Sequence, residues 1–121
     1  MPDTSSSPKT RQGSKTQHTL VLSDRQIAYT ATAEWQILFD QEKPIAEMFH
    51  VAYLAEVENS AQRPLTFVFN GGPGAASAYL HMGALGPQRV YFGANGSLPK
   101  PPVRVVSNTE SWLSLYGSGI Y

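Results

Sequence analysis

The 121 residues suffice for a single domain and its core, which excludes a multi-domain reading. Nine basic and nine acidic side chains cancel, so no long-range field is present to hold nucleic acid or an anionic membrane. Zero cysteines exclude thiol nucleophiles, disulfides and thiolate metal sites together.

The chain opens on a polar stretch, 1–17, with seven serines or threonines, two prolines, and no large apolar residue after Met1. Such a segment buries too little surface to offset its ordering entropy, so a disordered lead is expected. It has no apolar stretch of the secretory kind, and no later run reaches the length of a membrane span; neither membrane nor export is expected.

From Thr19 the periodicity becomes two. Leu20, Val21 and Leu22 precede a turn at Ser23-Asp24; then Ile27, Tyr29, Ala31, Ala33 and Trp35 alternate with polar or small residues. This spacing predicts a half-buried antiparallel strand. Lys43-Pro44 interrupts it, and a second alternating run carries Phe49, Val51 and Tyr53 on one face. An antiparallel pair or meander follows.

Leu65-Thr66-Phe67-Val68-Phe69 has no polar face, as in strands covered on both sides. It stops at Asn70-Gly71-Gly72-Pro73-Gly74, after which 75–85 shows helical spacing until Gly86-Pro87. Strand, glycine loop and short helix are the predicted organisation. Beyond a proline-rich loop, Val103 to Val106 predicts a short strand.

Glycines placed directly after a strand let backbone N–H groups face an anion with no Cβ in the way. A dinucleotide site would want Gly-x-Gly-x-x-Gly and an acid about 20 residues later. The chain has no Asp or Glu between Glu58 and Glu110, which counts against it and leaves nucleotide binding the weakest of the readings. A phosphate loop is excluded because no lysine follows the glycines until Lys100. A plain tight turn is the bland alternative.

The runs Phe67 to Ser77, His81-Met82-Gly83-Ala84-Leu85-Gly86-Pro87 and Asn108-Thr109-Glu110-Ser111-Trp112 resemble the amino-terminal part of the serine carboxypeptidase family, in its bacterial branch. The resemblance implies an α/β class: the amino-terminal, incomplete portion of an α/β-hydrolase fold, with antiparallel strands leading into a buried strand, glycine loop and short helix. After the disordered lead over 1–17, it implies a hydrolase-like segment over 18–113 and a divergent or truncated end over 114–121. It implies Gly72 as backbone donor of an oxyanion hole, an interaction typically worth about 3 kcal/mol of transition-state stabilisation. Asn70, with Gly71 beside it, would bind the carboxylate of a peptide substrate's C-terminus. Ala84 stands where some members carry a glutamate, so an acid-dependent second contact to that carboxylate is not expected here. No cofactor and no metal are implied.

The catalytic inventory does not close. An α/β-hydrolase carries its nucleophile on Gly-x-Ser-x-Gly, followed by an acid and then a histidine. Ser77 lies in Ala75-Ala76-Ser77-Ala78-Tyr79, Ser118 has Tyr116 and Ile120 at the outer positions, and His18, His50 and His81 all come too early. The expectation is a serine-type carboxypeptidase segment that releases no C-terminal amino acid by itself. The alternative is a non-catalytic module that binds peptide C-termini through the Asn70–Gly74 loop.

Overall fold

The computed structural model describes residues 11–97 and 99–121. Strands β1 (Ser14–Val21), β2 (Gln26–Asp40) and β3 (Lys43–Ala55) form an antiparallel meander, as the alternation in the sequence requires. Leu22 N–H bonds Arg25 O at 2.8 Å to close the first reversal. Gln41 and Glu42 close the second with φ of 45° and 68°, the left-handed pair that matches the twist of a two-residue hairpin. A bulge between Leu38 and Phe39 shifts the register near that tip.

Two further strands, β4 (Gln88–Val90) and β5 (Val105–Ser107), pair with each other in a separate antiparallel ladder. The last strand, β6 (Ser118–Ile120), joins β3, so the main sheet runs β1-β2-β3-β6. Residues 65–69 lie parallel beside β6 through a bridge at Phe67 and Ile120. Val68 N–H bonds Ile120 O at 2.8 Å and Ile120 N–H bonds Thr66 O at 2.9 Å. Among the described residues helical structure is confined to short turns: 60–62, α1 (Ala78–Leu80) running into a wide π-type turn at His81–Leu85, and α2 (Leu113–Tyr116). Gly117, at φ 72°, ends α2 in the left-handed conformation that turns the chain into β6.

The core sits on one face of the meander. Leu20, Tyr29, Ala55 and Leu113 are buried together, with Leu22, Ile27, Ala31 and Tyr53 packed against them. The period-two alternation therefore does its work at Ile27, Tyr29 and Ala31, while α2 lays Leu113 over the same face.

The α/β-hydrolase expectation is overturned. Strand makes up 43% and helix 12%, in a mostly antiparallel arrangement. The reason lies in three segments. The alternating runs extend into a hairpin of 15 and 13 residues, which dominates the sheet. The apolar run 65–69 is covered on one side only: Val68 is buried, but Leu65, Phe67 and Phe69 are exposed by 56%, 58% and 73%. The helix read over 75–85 begins only at Ala78 and widens at His81. Ser77 makes no side-chain cap there, and Gly83 and Gly86-Pro87 disfavour further helix. In addition, β1 opens at Ser14, so four residues of the expected lead belong to the ladder; residues 1–10 lie outside the described ones. Residues 114–121, read as a divergent end, supply most of α2 and all of β6.

Candidate functional site

The loop Asn70–Gly74 leaves the strand-like run beside β6 and leads into α1. Gly72 and Gly74 have φ of 88° and 81°, a conformation L side chains rarely adopt. A Cβ on either would meet no atom within 4 Å, so backbone conformation and not space demands glycine there. Ala75 N–H bonds Gly72 O at 3.1 Å and tightens the turn. The Asn70 N–H is taken by Ser77 Oγ at 3.2 Å, which ties the two ends of the loop together. Among the described residues nothing accepts from the N–H groups of Gly71, Gly72 and Gly74, and all three glycines are exposed. Pro73 interrupts the donors, and the three exposed N–H groups that remain within four residues are chemically suited to an anion. The Asn70 side chain stands beside them, its Nδ2 engaged only by a long 3.4 Å contact to Gly71 O.

An apolar cleft of about 440 Å³ borders the loop, lined by Met48, Phe49, Phe67, Phe69, Ala75 and Tyr121 among others. Phe69 and Ala75 are the residues that flank the loop on either side, so the cleft and the free N–H groups share a rim. Its volume falls in the range of about 300–1,000 Å³ usual for ligand sites.

Two anchors hold the segment that follows the loop. Tyr53 Oη and His81 Nε2 are 2.5 Å apart, and the His81 ring stacks on Tyr121 with centroids 4.9 Å apart and planes at 25°. Burial lowers the His81 pKa, and it pushes those of Tyr53 and Tyr121 up to about 12; Tyr29 and Tyr121 add a smaller rise at Tyr53. Neutral histidine and neutral phenols are thus the favoured states. The second anchor is Asn108, only 1% exposed. Its Nδ2 donates to Ala84 O at 2.7 Å and to Gly86 O at 2.9 Å, while Oδ1 accepts from Glu110 N–H at 3.1 Å. Ser111 Oγ donates to Leu85 O at 2.9 Å beside it.

Asn70, Gly71 and Gly72 come together in one exposed loop. Ser77 accepts a bond from Asn70 rather than facing a histidine, and His81 faces Tyr53. Among the described residues no serine hydroxyl bonds a histidine ring, although His81 N–H donates to Ser77 O at 2.9 Å along the main chain, and no group of three His, Asp or Glu could hold a metal there. Sequence reasoning missed Tyr53 and Tyr121 as the partners of His81, because contacts of high sequence separation leave no local pattern. The role of Asn108 had a readable signal: a short polar side chain two residues before Glu110 favours an Asx turn.

No protein-family model matches this chain, nor does any curated protein or solved structure. No helix among the described residues is long and apolar enough to cross a membrane.

Proposed function

We propose that the chain binds the C-terminal carboxylate of a peptide at the Asn70–Gly74 loop, as a recognition module without catalysis of its own. One observation carries this reading: three exposed N–H groups, those of Gly71, Gly72 and Gly74, lie without acceptors among the described residues in the loop that the Asn70 amide opens. A carboxylate supplies the acceptors such a loop is missing, and the absence of Asp and Glu from 59–109 leaves no local sequence competitor for it. Hydrogen bonds to a charged acceptor are worth about 1.5–3 kcal/mol each, so truncating Asn70 should weaken binding roughly tenfold or more. Titration calorimetry with a short peptide tests this. The free acid binds saturably, the C-terminal amide does not, and Asn70→Ala loses at least that factor. Equal binding of acid and amide ends the reading.

A second reading is favoured by the motif run from Phe67 to Trp112, which resembles serine carboxypeptidases. There Gly72 would donate to the oxyanion of a tetrahedral intermediate, and the reaction, proteolytic release of a C-terminal residue, would need a nucleophile and base outside the described contacts. A serine-directed fluorophosphonate separates the two. The module reading expects no labelling, whereas stoichiometric labelling of the chain would restore catalysis.

A further inference from the structure

The main-chain direction of residues 65–69 sets up a second element of recognition. In the parallel bridge to Ile120, the groups spent on β6 are Thr66 O and Val68 N–H. Because both polar groups of one residue in a parallel strand point the same way, those of Phe67 point to the opposite edge, and those of Leu65 and Phe69 follow at period two. Among the described residues nothing bonds the N–H groups of Phe67 and Phe69. The side chains of Leu65, Phe67 and Phe69 are exposed, and the edge leads straight into the loop with its three free amides. An open edge of this kind is a template for strand addition.

We propose that this edge takes the last residues of an extended peptide as an added strand running parallel to 65–69, its carboxylate ending at the Asn70–Gly74 loop. The direction follows from the geometry. The loop lies at the carboxyl end of the run, so only a parallel strand brings its own carboxyl end there. About five peptide residues span 65–69 at the usual rise per residue of a strand. Main-chain bonds then supply affinity independent of side chains, and the loop supplies the requirement for a chain end. The occupant is a peptide end and not an internal segment, because the loop offers donors and, across 59–109, no carboxylate to repel the incoming charge. This inference rests on the carboxylate reading above.

The test uses the full chain and three probes: N-acetyl-valine, an acetylated pentapeptide of alternating valine and threonine ending in valine, and the same peptide N-methylated at one amide at a time. The single residue reaches the loop but cannot pair with the edge. Expected are at least tenfold tighter binding of the pentapeptide than of N-acetyl-valine, and losses of roughly fivefold on N-methylation at every second amide with none at those between. Phe67→Pro, which removes one edge N–H, should reduce the pentapeptide to the affinity of N-acetyl-valine. The N-methyl series stands even where that variant fails to fold. Equal, Asn70-dependent binding of both acids without N-methyl periodicity would overturn strand addition and leave the carboxylate reading intact. Failure of both acids to bind would remove the two together. Self-association that occupies the edge and is not displaced by pentapeptide, followed by sedimentation, would assign it to a second copy of the chain and overturn the proposal.

Discussion

Asn108→Ala removes the anchor that secures the far end of the loop-bearing segment. Two donated bonds, to Ala84 O and Gly86 O, and one accepted from Glu110 N–H disappear together. Each such bond contributes about 1 kcal/mol net, and a buried carbonyl left unpaired costs more than an exposed one. Gly86 is buried whereas Ala84 is exposed, so the Gly86 carbonyl is the one that water cannot easily serve. The expected loss is about 3 kcal/mol. With a urea slope of about 2 kcal/mol per M, the unfolding midpoint falls by roughly 1.5 M at unchanged slope. Tryptophan fluorescence from Trp35 and Trp112 follows the transition. A change in midpoint under about 0.3 M would refute the claim that Asn108 pins this segment. Asn108→Asp sharpens the case: it keeps the acceptor for Glu110 N–H but turns a carboxylate toward two carbonyls, and should cost at least as much.

Three further outcomes are expected. The His81 pKa is lowered by burial from 6.5, so the folded state binds fewer protons than the unfolded one just below that value. Its contribution is fully present above pH 6.5 and is lost as pH falls toward the folded pKa, a fall in stability that His81→Phe should remove. Tyr53 and Tyr121, raised to about 12, act at the other end: stability drops as pH rises from 10 toward 12, with a matching delay in phenolate absorbance on folding. Gly86→Ala drives a Cβ into the His81 carbonyl oxygen and should destabilise by about 1–3 kcal/mol, whereas Gly71→Ala, with nothing within 4 Å, stays within about 0.5 kcal/mol; paired urea melts decide between them.

The meander was legible because its signal is local. Alternation from Ile27 to Trp35 and from Phe49 to Tyr53 encodes strand and face together, and β2 and β3 carry both runs. The run 65–69 misled because an apolar pentapeptide reads alike whether both faces are covered or one, and only long-range pairing with β6 decides. Nothing in Ser118-Gly119-Ile120 signals a strand, yet those residues gain their place from bonds to Thr66, Val68 and β3. Around the candidate site, the turn itself was legible, since Gly72 and Gly74 take the positive φ that glycine permits. The fixing of His81 between Tyr53 and Tyr121 was not, since Tyr53 lies 28 residues away from His81 in the chain and the stack depends on tertiary packing.

The most direct test of carboxylate recognition is the amide spectrum of the nitrogen-15-labelled chain, titrated with N-acetyl-valine and, separately, with N-acetyl-valinamide. The account predicts saturable shifts at the Gly71, Gly72 and Gly74 amides with the acid alone, abolished in Asn70→Ala. Shifts of equal size with the uncharged amide, or none at these glycines with either compound, would contradict it.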